Sequence, residues 1–244
     1  MAQIVVSGHQ PAYLPWLGLL HKASLADVFI YMDDVQFIQR DFIHRNRIKV
    51  GFEASTLLTI PVGSQKANKK KICDVEISQQ DLPLKKSWQT SHWNSIKSAY
   101  SKAPYCKDYL DFFHWVYQEN RWVNLAELNL VLLRQFFEWF GITSRLVIGS
   151  QSNFIGYKSD LILEHATRFD ADVMVTGQFG EDYLEREKFE SEGIKLVHQQ
   201  YVHPVYPQRF GTFISNMSCI DLLFNCGEES KEIFLADNLK RENL

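Results

Sequence analysis

Three short runs before residue 50 concentrate the side chains that could do chemistry. The first reads His9-Gln10-Pro11-Ala12-Tyr13-Leu14-Pro15-Trp16. Imidazole titrates near neutrality, so His9 can move a proton or donate to a phosphate. It can equally do no more than tie down a turn. Gln10, Tyr13 and Trp16 add polar and aromatic contact groups beside it. The second run, Asp33-Asp34-Val35-Gln36, offers carboxylates that could orient a base or bind hydroxyl groups. Neighbouring carboxylates point differently, so one can cap the turn while the other faces a ligand. The third run is His44-Arg45-Asn46-Arg47-Ile48-Lys49. On a strand its alternation puts Arg45, Arg47 and Lys49 on one face. A guanidinium there can hold a phosphate or carboxylate through two parallel hydrogen bonds, although a solvated strand face would show the same pattern.

Two later runs join these. Thr176-Gly177-Gln178-Phe179-Gly180 has glycines that let backbone amides approach a ligand. His203-Pro204-Val205-Tyr206-Pro207-Gln208 holds three polar side chains between prolines, as a built loop does, and is followed by Ser218 and Asp221. Ser218 reads as a helix cap rather than a nucleophile. No GxSxG elbow, HExxH pair or Rossmann glycine fingerprint is present. No third carboxylate stands beside Asp33 and Asp34 to complete an oxygen-rich metal site, so no metal is assigned. No cofactor is assigned either.

The elements that must position these runs follow from periodicity. Gln3–Ser7, Tyr13–Ala26 and Asp27–Met32 read as strand, helix and strand, the spacing of a right-handed βαβ unit. Arg47–Phe52 and Ser55–Val62 predict a hairpin turning at Gly51, with Lys71–Ile77 as a further edge strand. Three helices are predicted over Pro83–Tyr100, Cys106–Tyr117 and Asn124–Phe140, the last closed by Gly141. Their tryptophans, Trp88, Trp93, Trp115, Trp122 and Trp139, fall at helical spacing, which favours core packing over a stacking surface. Strands at Ser144–Ile148, Val173–Thr176 and Ile194–His198 then alternate with helices at Ser159–Phe169 and Glu181–Phe189. A last helix runs from Ser218 to Gly227, and Asn238–Leu244 reads as a frayed end.

The expected fold is therefore α/β: a parallel-sheet, nucleotide-binding-like core with a small β-hairpin and an α-helical insertion. It is read as one domain over residues 1–230, with the insertion at about 83–140 and a C-terminal tail at 231–244. Loops from parallel strand ends should share one sheet edge, so His9, Asp33 or Asp34, Gly177 and the His203–Gln208 loop are expected to rim one cleft walled by Arg45 and Arg47.

Composition narrows the class. The 244 residues carry 26 basic and 29 acidic side chains, a net charge of −3, without the basic footprint of a nucleic-acid binder. The basic run Lys66–Lys71 reads as a solvated hairpin tip. No apolar stretch is long enough to span a bilayer and no signal-peptide pattern opens the chain, so membrane insertion is not expected and the cytoplasm is. Four cysteines without CxxC spacing are expected as free thiols.

Six segments in order, HQPAYLPWLGLLHK, ADVFIYMDDVQF, RNRIK, AYSKAPYCKDY, YVHPVYPQRF and SCIDLLFNCGEES, resemble the WbqC-like family of bacterial proteins over Val6 to about Ser230. The resemblance implies a role in surface polysaccharide, notably O-antigen, and a transferase that places glycine or another acyl group on an amino sugar. The partner it implies is a small, nucleotide-linked sugar. On matching positions it implies polar roles for His9, Gln10, Asp33, Asp34, Gln36, Arg45, Asn46, Arg47, His203, Tyr206 and Gln208, with His9 as base and Asp34 orienting it. A looser likeness, to the nucleotide-binding fold of adenylyltransferases, pairs His9 with His21, twelve residues on and without an HxGH tetrad. ATP-dependent adenylation is thus an alternative reading, and a non-catalytic assembly protein of a polysaccharide pathway is another.

Overall fold

The computed structural model describes residues 3–63, 67–79, 87–178, 180 and 184–244. Five strands, β1 (Val5–His9), β2 (Val28–Tyr31), β5 (Arg145–Ile148), β6 (Val173–Gly177) and β7 (Lys195–Gln199), form one parallel sheet in the order β5-β2-β1-β6-β7. The chain thus builds outward from β1 in one direction and then in the other. The order reverses between β1 and β6, where the carboxyl ends of open α/β sheets leave a crevice. Two further strands, β3 (Arg45–Lys49) and β4 (Ser55–Thr59), make the antiparallel hairpin. The α/β class, the hairpin and the sharing of one sheet by both α/β blocks are as expected. The predicted edge strand at Lys71–Ile77 is instead a 3₁₀ turn at Ile72–Asp74 held by isolated bridges to Gln36, Val62 and Asn124.

Side chains alternate across the sheet. Val6, Val28, Ile30 and Met174 pack with Ile162 and Ala166 of α5 (Ser159–Thr167) and Phe189 of α6 (Arg186–Ser191). Val5, Val173 and Val175 face the other way, against Leu25 and Ala26 just beyond α1 (Leu17–Ser24). The helical insertion, α2 (Trp88–Tyr100), α3 (Cys106–His114) and α4 (Leu125–Trp139), adds the largest apolar cluster on that side. The Phe137 ring of α4 meets Phe29 at 5.7 Å and the Tyr31 hydroxyl donates to the Ala126 carbonyl at 2.6 Å, which binds the insertion to β2. Trp93 and Trp122 are buried and Trp139 lies among Tyr109, Phe112, Phe113 and Phe136, so these tryptophans are core. No helix among the described residues is long and apolar enough to cross a membrane.

Two departures bear on the site. The helix predicted from Tyr13 starts only at Leu17, because Pro11–Trp16 is held as a buried turn, with Leu14 at φ +44°. The C-terminal end does not fray. Beyond α7 (Cys219–Cys226) and α8 (Ser230–Ile233), Phe234 is buried, Leu239 and Leu244 pack on the sheet's second apolar cluster, and Arg241 pairs with Asp27 at 2.7 Å. Those leucines are apolar surface that the sheet would otherwise leave wet.

Asp221 of α7 is the polar joint of this side. Fully buried, it accepts from the Tyr100 hydroxyl at 2.7 Å, the Tyr206 hydroxyl at 3.0 Å and Gln208 Nε2 at 2.7 Å. Burial raises its pKa, while these donors and the Lys49 ammonium oppose the rise. Removing the carboxylate leaves three buried donors unmatched, so Asp221→Ala should cost about 3–5 kcal/mol, the scale for breaking a buried charged network. Denaturant unfolding measures this, and a loss below about 1 kcal/mol would show that the network is not a joint.

Candidate functional site

The carboxyl edge of the sheet carries His9 as the last residue of β1, with Tyr31 beside it on β2 and Gly177 closing β6. His9 shares the face of Val5 and Ser7, so its ring lies on the α1 side. Its Nδ1–H donates to the Gln10 carbonyl at 2.7 Å, which leaves Nε2 as a bare acceptor. Burial first, and the Lys22 charge second, push its pKa down to about 3. The imidazole is therefore neutral throughout the physiological range, and the Gln10 carbonyl performs the orienting role expected of Asp34. A methyl group built on Gly177 would meet no described residue within 4 Å. Phe179 of the same run lies outside the described residues, as do Lys66 and residues 80–86 and 181–183.

The adjacent aspartates divide their work. Asp33 is buried and accepts the Ser150 amide and hydroxyl, each at 2.7 Å, which ties the end of β2 to the turn after β5. Asp34 is half-buried, with Oδ1 unpartnered among the described residues and set so close to Gly149 that an added Cβ there would lie 2.5 Å away. Burial raises its pKa, assisted by the Asp33 charge. Gln36 points elsewhere, donating to the Asn68 carbonyl at 2.6 Å.

The expected basic wall is not assembled as one face. Arg47 is exposed, whereas Lys49 is buried, its ammonium donating to Gln208 Oε1 at 3.2 Å and to the Thr212 carbonyl. Arg45 is half-buried with Nε unpartnered among the described residues. Asn46 is a brace, donating to the Leu14 carbonyl at 2.6 Å. Tyr13 is fully buried, its hydroxyl bonded to His92 Nδ1 at 2.8 Å and to the Tyr117 hydroxyl, so it seams the turn to the insertion and offers nothing to a ligand. Trp16 lays its ring across Gly18 and meets Tyr201 edge-on at 5.7 Å.

The loop after β7 passes the turn that opens α1, where Tyr201 meets Trp16 edge-on and lies 6.3 Å from the His203 ring. His203 donates Nδ1–H to the Pro204 carbonyl at 2.9 Å, and its ring packs on Tyr206 and Phe213 at 6.1 and 5.8 Å. Nε2 is buried without a partner among the described residues, and burial lowers the pKa. Tyr206 and Gln208 are committed to Asp221. His203 lies among these rings, and no hydrogen bond or ring contact among the described residues joins it to His9. His21 is also spent: Nε2–H donates to the Leu239 carbonyl at 2.9 Å and Nδ1 accepts from Gln199 Nε2 at 2.5 Å. It has no free nitrogen for a phosphate, so the pairing of His9 with His21 is not available to the adenylation reading.

One residue escaped the sequence reading. Lys22, on α1, is 5% exposed and has neither hydrogen bond nor ion pair among the described residues. Burial alone lowers its pKa to about 7. The signal was present as the one charged side chain inside the apolar run Leu17–Ala23.

The profile of the WbqC-like protein family matches residues 10–233. This chain belongs to the WbqC-like family. Among curated proteins, this WbqC-like chain is 29% identical over 224 residues to one from Mycobacterium tuberculosis (strain ATCC 25618 / H37Rv) described as "Uncharacterized protein Rv1507c", covering 91% of this chain and 94% of that one. No solved structure matches.

The neutral histidines of this WbqC-like protein set its pH response. Burial pushes His9 to about 3 and His44, His92 and His165 to about 4, against 6.5 when unfolded. Between those limits the unfolded chain binds more protons, so stability rises with pH and is lost on acidification. Asp34 and Asp221, with raised pKa values, act in the opposite sense but are two carboxyls against six imidazoles, His21 and His203 being lowered as well. Lys22, at about 7 folded and 10.5 unfolded, extends the gain above neutrality. The melting temperature should therefore fall steeply from pH 6.5 to 4.5 and rise further between pH 7 and 9. A flat profile over the acid range would contradict the burial of these rings.

Proposed function

We propose that this chain is a transferase that acylates an amino sugar, presented as a nucleotide-linked intermediate, in bacterial surface-polysaccharide synthesis. One observation carries the reading: a histidine whose fixed Nε2 has no partner among the described residues stands where the strand order reverses, beside Gly177, whose Cβ position meets no described residue. Open α/β sheets bind nucleotides at such reversals. Membership of the WbqC-like family supports the polysaccharide context.

In this reading the sugar amine donates an N–H to His9 Nε2, which aims the nitrogen lone pair at the acyl carbon. The carbon–nitrogen bond forms, the acyl donor's leaving group departs, and the amine loses a proton. With a conjugate acid near pH 3, His9 holds that proton only transiently, and solvent receives it. Asp34 accepts from sugar hydroxyls through Oδ2, since Oδ1 is packed against Gly149, and the outer guanidinium nitrogens of Arg45 hold phosphate oxygens. Gln10 flanks His9. The substrate places the reaction in the cytoplasm, and neither nucleic acid nor bilayer is a partner.

His9→Ala should lower turnover of a UDP- or dTDP-linked amino sugar by about 10²–10⁴-fold, the usual span for loss of a proton-handling group, without lowering the melting temperature. His9→Gln, which retains an acceptor, should recover part of the rate. Undiminished turnover by His9→Ala would remove His9 from the reaction.

A further inference from the structure

A lysine buried without a counter-charge is costly to a fold, because the ammonium gives up water and gains nothing in return. Lys22 is 5% exposed with no counter-charge among the described residues, whereas the other buried lysine, Lys49, is bonded to Gln208 and Thr212 and faces the Asp221 charge. Nothing in the packing of α1 demands an amine at position 22. The neighbouring positions, Leu19, Leu20 and Ala23, fill the same helix with apolar groups.

Where the amine points follows from the topology. Helix α1 returns antiparallel to β1 and packs against both β1 and β6. Helical side chains lean toward their own N-terminus, which for α1 is the carboxyl edge of the sheet. The charge of Lys22 accordingly acts on His9, the last residue of β1. The lean of the side chain and its charge acting on His9 both direct the amine toward the end of the sheet where β1 and β6 adjoin. Two groups there lack partners among the described residues: the Lys22 amine and His9 Nε2.

We propose that Lys22 is the floor of an oxyanion subsite beneath His9, where its ammonium pairs with a phosphate or carboxylate group of the substrate. The inference rests on the transferase reading and adds the charge that this subsite requires. A diphosphate of a nucleotide-linked sugar and a carboxylate of an amino acid share the necessary chemistry. Either would supply the counter-ion that Lys22 lacks among the described residues. Pairing also takes away one of the two influences that depress the His9 pKa, so the imidazole becomes a better acceptor only once the anion is bound.

The test titrates inorganic pyrophosphate and, separately, glycine into the wild-type chain and Lys22→Met by calorimetry at fixed ionic strength. Methionine matches the length of the lysine stem without its charge. Expected is binding of one anion to the wild type, weakened at least about tenfold in Lys22→Met, the scale of one charge-assisted hydrogen bond, while the variant melts no lower than the wild type. Which anion binds identifies the source. Equal affinities in both chains, or binding of neither anion by the wild type, overturn the inference. A UDP-linked amino sugar is the separating arm: if it binds both chains equally, the transferase reading stands and only the role of Lys22 falls. Should Lys22→Met not fold, borohydride-trapped pyridoxal phosphate labelling of the wild type, mapped by mass spectrometry, replaces it. Protection of Lys22 by the bound anion then supports the subsite, and unchanged labelling overturns it.

Discussion

The structure depends on how the turn from Pro11 to Trp16 satisfies its backbone. This segment is buried but belongs to no helix or ladder, so its polar groups must find partners in remote parts of the chain. Tyr13 N–H donates to the Phe42 carbonyl at 3.0 Å, the Leu14 carbonyl accepts from Asn46, and the Pro15 carbonyl accepts Cys219 N–H at 2.8 Å. A few residues away, Ser218 N–H donates to the Arg47 carbonyl at 2.9 Å. The first α/β crossover, the hairpin and α7 are locked together through these bonds. They set where α1 begins, and thereby where His9 and Lys22 stand relative to the reversal of the sheet.

Polar groups in this protein fall into two kinds. Asp33, Asn46, Lys49, Tyr206, Gln208 and Asp221 are buried or half-buried and matched, so they hold elements in register. His9 Nε2, Asp34 Oδ1, Arg45 Nε and the Lys22 amine are unmatched among the described residues. An unmatched buried polar group costs more than a bond gains, so a fold retains it where a ligand supplies the partner. His44 and His165 are also unmatched, but each is packed against an aromatic ring, Phe37 and Phe154, away from the strand ends. Being unmatched marks a candidate, and place at the sheet edge decides it.

The insertion gives the site its rigidity without entering it. Its Phe113 interlocks with Phe136, Trp139 and Phe224 of α7, and it is hydrogen-bonded to the turn through Tyr13, His92 and Tyr117. Burial is the largest cause of the depressed basicity of His9. The same burial that makes His9 a weak proton store makes it a fixed acceptor, because a neutral imidazole with one nitrogen committed has one orientation.

Local sequence determined the element types, the parallel class and the run His9–Trp16 as the place to look. Alternation of apolar residues over four or five positions, Gly141 at a left-handed helix end and Ser218 as a cap are signals read within one turn of chain. The same signals misled where distant contacts prevail: Lys71–Ile77 has strand composition but finds no continuous partner, and Asn238–Leu244 is polar yet is held by Val202, the sheet and Asp27. Tertiary structure alone decided which polar residues are spent. Asp33 and Asp34 are neighbours of one type, and only the approach of Ser150 makes one a tie and leaves the other open. His9 and His203 share a motif, each donating to the next carbonyl, yet one ends at the sheet reversal and the other among rings. The physical reason is that a hydrogen bond or a counter-charge is a property of pairs, and the partners here lie as far apart in sequence as Asp33 and Ser150 or Lys49 and Gln208.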